Sequence, residues 1–232
     1  MEIYISIDGV LRNTIAKFDY HYKDHYLDSD PEDLPEDEKG YKYDIIEPIR
    51  NNHLMESYKF QSKDEFENFT FIDYAVEIFG HATPSYAKTF FDLNNFIYTN
   101  KEHNITIVGL DELGKSKAST LFFLSRNGFM GNNIKFTMSS EISNLWKKCD
   151  VWITDNHSVV EQCPKSKKVV KFNTEYNQHF TNSLEIHNLT EIDNKQKAKD
   201  SRILLFKIRI FCNSLLINLS SSFKISQQFF HI

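Results

Sequence analysis

The chain opens on a β-rich run, residues 2–7, in which apolar and polar positions alternate weakly before Asp8-Gly9, so the pattern predicts a strand entering a loop. Over residues 62–80 the rhythm is helical. Ser62 stands at the cap with Glu65 at the capping-box position, and Phe66, Phe69, Ile72, Ala75, Val76 and Phe79 recur at three- and four-residue spacing. A second helix is predicted over 85–96, after Pro84; the Phe-rich pair reads as core, with His81 and His103 as surface or cap residues. After Asn104 strands and helices alternate. Short apolar runs at 105–108, 134–138, 151–154 and 168–172 predict strands. Residues 117–125, closed by Asn127-Gly128, and residues 140–148 predict helices. This order predicts an α/β fold, a parallel sheet flanked by helices, with a helical insertion after the first strand. Ligands in such sheets sit beyond the carboxyl ends of the strands, which brings the loops after Ile7, Val108, Met138 and Thr154 together.

Charge and composition modify this picture in two places. From Asp28 to Glu47 nine acids stand against Lys39 and Lys42, punctuated by Pro31, Pro35 and Gly40, which predicts an exposed acidic loop. The formal charge of −5 divides unevenly: residues 201–232 carry +4 (Arg202, Lys207, Arg209, Lys224) and the first 200 carry −9. There is no general nucleic-acid signature in that balance. The last segment, with Ile203-Leu204-Leu205-Phe206 and further apolar positions, reads as a basic, apolar appendage, either packed or open to a partner. A helix is expected over 193–199. Phe (20) and Tyr (11) are abundant, Gly (7) and Pro (5) scarce, and 41% of residues are hydrophobic, enough for a sizeable core.

Cys149, Cys163 and Cys212 are too few and too dispersed for a disulfide scaffold or a zinc site and read as free thiols in a reducing compartment. The N-terminal decapeptide has no basic region or small-residue cleavage site, and the apolar stretch 203–219 is broken by Lys207 and Arg209. The expectation is a soluble cytoplasmic protein without membrane partners.

The strand ends carry a resemblance. Ile5-Ser6-Ile7-Asp8-Gly9-Val10-Leu11, then Val151-Trp152-Ile153-Thr154-Asp155 and the return through Val169-Val170 to Tyr176-Asn177, resemble the first and last motifs of the haloacid-dehalogenase-like (HAD) phosphatase superfamily, nearest its 5′(3′)-deoxyribonucleotidase type. That family opens with Asp-x-Asp-Gly-Val-Leu and ends on an apolar strand leading to Asp-Asp. The resemblance covers residues 2–14 and 105–177. It implies a HAD-like core of 1–14 and 104–200, a helical cap over 15–103, and 201–232 beyond the core. The Lys-, Asn-, Ile- and Phe-rich composition suits an AT-rich genome, and nucleotidase-like chains are familiar from phages, so the resemblance extends to a viral setting, in host cytoplasm or virion.

In that family a nucleophilic aspartate precedes a second, acid/base aspartate by two residues. Here the acid/base position is Asp8 and the nucleophile position is Ser6. The family's phosphoryl-holding Ser/Thr falls at Gly109 or Leu110, its lysine near Asn144, and its metal-binding aspartate at Thr154, beside Asp155. A serine without a base is a weak nucleophile, and hydroxyls are poorer Mg²⁺ ligands than carboxylates. Lys115, Lys117, Lys147 and Lys148 are the lysines available to replace the missing one. The covalent-aspartate mechanism is therefore not expected. The leading expectation is a catalytically degraded HAD-like protein with a binding or assembly role, no required cofactor, and a protein partner or self-assembly. One alternative is residual phosphohydrolysis of a nucleotide or small phosphoester, with Asp8 as acid/base and Mg²⁺ on the Asp8 carbonyl and Asp155.

A second alternative lies in the same chain. Gly109-Leu110-Asp111-Glu112-Leu113-Gly114-Lys115-Ser116 matches G-x-x-x-x-G-K-[ST] and stands between a predicted strand and helix. As a nucleotide-binding P-loop, Gly109 and Gly114 would shape the turn, Lys115 would reach the phosphates and Ser116 would hold Mg²⁺, with Asp155 as the acidic partner. Against this, Asp111 and Glu112 would lie inside the anion cradle, and about 100 residues precede the motif. His157 reads as a surface-loop residue; Trp146 and Trp152 read as packing residues.

Overall fold

A computed structural model describes residues 1–192 other than 31, 33, 37, 50–53 and 183. Residues Met1–Leu189 form one compact unit. The helix expected over 193–199 and the appendage 201–232 lie outside the described residues.

The first strand, β1 (Glu2–Ser6), is buried along nearly its whole length, as its apolar residues require. After the insertion come β2 (Asn104–Leu110), β3 (Ile134–Thr137), β4 (Val151–Thr154), β5 (Lys168–Phe172) and β6 (Glu185–Ile186). They form one sheet in the order β3-β2-β1-β4-β5-β6, with every pairing parallel. This is the order of a Rossmann-like doubly wound sheet. The chain moves outward from β1 to β3, then returns to the other side of β1 for β4. The reversal falls beside β1, so the carboxyl ends of β1 and β4 flank the crevice that such sheets use for ligands.

Register decides which residues meet there. Tyr4 lies opposite Trp152 and Ile5 opposite Ile153, so Ser6 and Thr154 follow on the same face as the Tyr4–Trp152 pair. That face packs Tyr4, Val108 and Trp152 against Ile142, Leu145 and Trp146 of a helix over Ile142–Lys148, and against Val159 of another over His157–Glu161. The Trp146 indole donates to Val159 O at 3.1 Å, which satisfies its one polar atom inside the core. Both tryptophans are thus packing residues. His157, expected on a surface loop, instead begins the His157–Glu161 helix; Asn156 caps it through Oδ1, and the imidazole stacks on Phe180 at 4.4 Å. The expected Asn127-Gly128 stop does close the helix Lys117–Arg126, with Gly128 at φ 72°.

The insertion between β1 and β2 is helical, and its core is aromatic. Asn13 accepts from Ala16 N and caps α1 (Thr14–Tyr22), whose Ile15, Phe18 and Tyr22 point inward at helical spacing. The chain continues as a π-helical turn, Lys23–Leu27. Phe18, Tyr22, Tyr26, Tyr43, Tyr58, Phe60, Phe69 and Phe79 pack into one cluster with Ala75 and Ile78. This cluster accounts for much of the Phe and Tyr excess. Its hydroxyls are met: Tyr22 donates to Lys59 O at 2.6 Å and Tyr58 to Asp19 at 2.9 Å.

Two helix expectations are corrected in detail. The predicted helix 62–80 begins as expected, with Ser62 Oγ accepting from Glu65 N at 3.1 Å, but only Lys63–Asn68 is α-helical. Phe69–Asp73 and Val76–Gly80 are wound as π-turns with a break at Tyr74-Ala75. The i→i+5 winding adds a residue per turn, so Ile72 (53% exposed) and Val76 (51%) swing to solvent while Phe69, Ile78 and Phe79 stay buried. The second helix runs Thr89–Thr99 rather than 85–96, because Ser85 is held by the β1 loop: its N–H donates to Leu11 O and its hydroxyl to Gly9 O.

Candidate functional site

A cleft of about 760 Å³ lies across the carboxyl ends of the strands. The loop after β1 supplies Asp8 and Gly9, that after β2 Glu112, that after β3 Ser139, that after β4 Asp155, and that after β5 Glu175 and Tyr176. The insertion closes the opposite side with Phe18, Lys63, Phe66, Glu67, Thr70 and Phe79. Ser6, Asp8 and Asp155 are therefore brought to one cavity, as the strand order demands. Gly109, Gly114, Lys115 and Ser116 are not on its walls, nor is Asn144.

At the two positions where the resemblance implies carboxylates, the side chains are hydroxyls bonded to each other. Ser6 Oγ donates to Thr154 Oγ1 at 2.9 Å and accepts from Trp152 Nε1 at 3.1 Å. Thr154 Oγ1 also accepts from Asn156 N at 3.1 Å. Ser6 and Thr154 are buried, at 8% and 0% exposure. The Ser6 proton is thus directed at a neutral hydroxyl, and the serine ties the ends of β1 and β4 together.

Asp8 is committed elsewhere. Its Oδ1 accepts from Arg12 Nε at 2.9 Å, from a terminal Arg12 nitrogen at 2.7 Å, and from the Thr14 hydroxyl. Arg12 is 1% exposed, and its other terminal nitrogen donates to Phe79 O at 2.8 Å and to Thr120 Oγ1 at 2.9 Å. The guanidinium also lies against the Phe79 and Phe123 rings. One buried cation thus joins the β1 loop, the insertion and the Lys117–Arg126 helix. Sequence reasoning passed over Arg12, although a charged residue directly after Val10-Leu11 is a visible signal.

Asp155 is packed against backbone. Gly9 has φ 75°, and a Cβ placed there would lie 1.9 Å from the Asp155 carboxyl. Only glycine provides both the left-handed turn and the room. Asn177, fully buried, fixes the neighbouring loop by donating to Asp155 O at 3.2 Å and Phe172 O at 2.8 Å while accepting from Thr174 N at 3.0 Å. Mg²⁺ needs near-octahedral oxygen ligands, and here the hydroxyls of Ser6 and Thr154 are bonded to each other and Asp8 Oδ1 already accepts from Arg12 and Thr14, which leaves the Asp8 carbonyl and the Asp155 carboxylate as the oxygens that would hold it. Among the described residues no group of three or more His, Cys, Asp or Glu is arranged for a metal.

The 109–116 segment forms a turn closed from inside. Asp111 is 5% exposed and its carboxylate accepts from Ser116 N at 3.2 Å, while Asp111 N donates to Thr137 O at 2.8 Å. An anionic side chain therefore sits where a P-loop would offer its amide to phosphate. Gly109 lies within β2, with Phe136 and Ile7 against it, and Lys115 is exposed.

Fold and site together define a Rossmann-like α/β domain with a cleft at the carboxyl edge of its sheet. No protein-family model matches the chain, and no curated protein is significantly similar to it in sequence. No helix among the described residues is long and apolar enough to cross a membrane.

Proposed function

We propose that this chain is a non-catalytic ligand-binding protein on a HAD-like scaffold, its phosphatase site degraded and its cleft retained. The observation that carries the reading is the Ser6–Thr154 hydrogen bond, which occupies the strand ends where phosphoryl transfer needs a nucleophile and a metal. The Asp8–Arg12 pair adds to it, because Asp8 Oδ1 already accepts from Arg12 and Thr14 and is turned to them instead of to a substrate. The closing of the 109–116 turn by Asp111 argues against nucleotide binding at that segment.

The test is Mg²⁺-dependent hydrolysis of nucleoside monophosphates and p-nitrophenyl phosphate by the purified protein beside Asp8→Asn. Equal background rates in both are expected. Turnover that scales with protein and disappears in Asp8→Asn overturns the reading.

A further inference from the structure

The insertion holds two histidines one helical turn apart whose surroundings differ. His25 is bonded at both nitrogens: Nδ1 lies 2.9 Å from the Tyr74 hydroxyl and Nε2 3.2 Å from Glu38 Oε2. His21 is bonded at neither, although both of its ring nitrogens are closed off from solvent. Its ring packs nearly perpendicular to Tyr20 at 5.0 Å and, tilted by 30°, against Tyr74 at 4.9 Å. Among the described residues, the charged groups that face it are Lys17 and Asp24 on its own segment and Glu77 on the facing one; Asp73 and Glu38 stand around Tyr74. A neutral imidazole stays in this slot at the cost of its hydrogen bonds, whereas an imidazolium adds a buried charge with no acceptor at either nitrogen. Burial, then Lys17, hold His21 below its ordinary 6.5 against the pull of Glu77 and Asp24. Tyr74 sits at a joint, in the break between the π-turns Phe69–Asp73 and Val76–Gly80, with its ring 4.7 Å from that of Phe69. Those turns supply Thr70, Phe71, Ile78 and Phe79 to the wall of the cleft.

We infer that His21 is an acid-operated latch on the cleft wall: neutral, it holds Tyr74 and the 69–80 segment against α1; protonated by solvent, it leaves its slot for water and the segment loosens. The latch acts whatever the cleft binds, so it stands or falls apart from the binding reading. The open form takes the proton more readily than the closed one. The closed form is therefore fully favoured above about pH 7.5 and weakens as pH falls through 6.5. A ring that takes its proton only in the open form raises the open population by up to about tenfold at one pH unit below that value.

Amide hydrogen exchange of the full chain at pH 7.5 and 5.5, corrected for the intrinsic rate, tests this beside His21→Phe, His21→Gln and His25→Gln. Peptides over 69–80 are expected to exchange severalfold faster at the lower pH in the parent, while those of β1 and β4 do not. Neither His21 variant takes a proton on acidification, so both are expected to lose the response. Phe fills the aromatic slot and Gln leaves it roomier, so either one reports if the other fails to fold. His25→Gln is expected to keep the response. The parent's histidine ring resonances give a reading that needs no folded variant: His21 is expected to titrate below 6.5. Titration of His21 at or above that value overturns the inference. So does an acid response that persists in the His21 variants, one that disappears in His25→Gln, or faster exchange spread evenly over the sheet.

Discussion

Ser6 Oγ and Thr154 Oγ1 lie 2.9 Å apart across the ends of two parallel strands, and the Trp152 indole completes the group from below. Ser6→Ala leaves a buried indole N–H without its acceptor and removes a donor from Thr154, so a loss of about 1–3 kcal/mol is expected in urea unfolding. Ser6→Asp is expected to cost more, and more at pH 7 than at pH 4. Burial raises the folded-state pKa of the introduced carboxyl above its unfolded value near 4, so relative stability falls as pH rises past that value. A Ser6→Asp protein as stable as the parent at pH 7 would contradict the packing described.

Arg12 connects three elements through five hydrogen bonds, and geometry matters there as much as charge. Arg12→Lys keeps the charge but cannot place donors on Asp8, Phe79 O and Thr120 at once. A loss of roughly 2–4 kcal/mol is expected, near that of breaking a buried pair. Asp8→Asn is expected to be milder, because Asp8 keeps 36% of its side chain exposed and an amide oxygen still accepts from Arg12. Chemical denaturation of the two variants side by side checks the order.

Two glycines with the same backbone sign separate steric from conformational cost. Gly9 (φ 75°) abuts the Asp155 carboxyl, whereas a Cβ at Gly114 (φ 69°) meets nothing within 4 Å. Gly114→Ala is expected to cost about 1–2 kcal/mol, the price of a left-handed alanine. Gly9→Ala adds a clash with a buried acid and is expected to exceed that by a further 2 kcal/mol or to abolish folding. Equal melting temperatures for the two variants would contradict this assignment.

How much of this was legible in sequence depended on the range of the interactions. The strands at 134–138, 151–154 and 168–172 stood out as short apolar runs, and the observed β3, β4 and β5 match them to within a residue. Alternation with helices was enough for the parallel α/β architecture. The helix Thr14–Tyr22 went unread even though Asn13, Ile15, Phe18 and Tyr22 carry its cap and face. The π-turns were beyond a 3.6-residue template, so Ile72 and Val76 were assigned to the wrong side. At the site, Ser6, Asp8 and Asp155 could be placed on strand ends by pattern alone. The Ser6–Thr154 bond could not, because it follows from the register of β1 against β4, strands nearly 150 residues apart. Thr70 and Glu67 reach the cleft only through tertiary packing, which no local period encodes.

The aromatic core of the insertion makes the protein sensitive to alkali. Burial, reinforced by neighbouring acids such as Glu65 and Asp19, raises the hydroxyls of Tyr26, Tyr43 and Tyr58 far above their ordinary value of 10; burial raises Tyr22 in the same direction against an opposing backbone hydrogen bond. Burial likewise pushes the Cys149 thiol up from 9.0 to about 12. In each case the folded state holds its proton where the unfolded chain releases it. The stability these groups contribute is therefore complete below pH 9, begins to fall as pH passes the unfolded thiol value, and falls faster above 10 as the tyrosines join. Melting temperature measured from pH 8 to 11 is expected to follow that course. Phenolate absorbance at 295 nm from the buried tyrosines is expected to appear in one step with the loss of far-ultraviolet circular dichroism. Ionisation of all 11 tyrosines while the dichroism is still native would show that the cluster is not sealed from water.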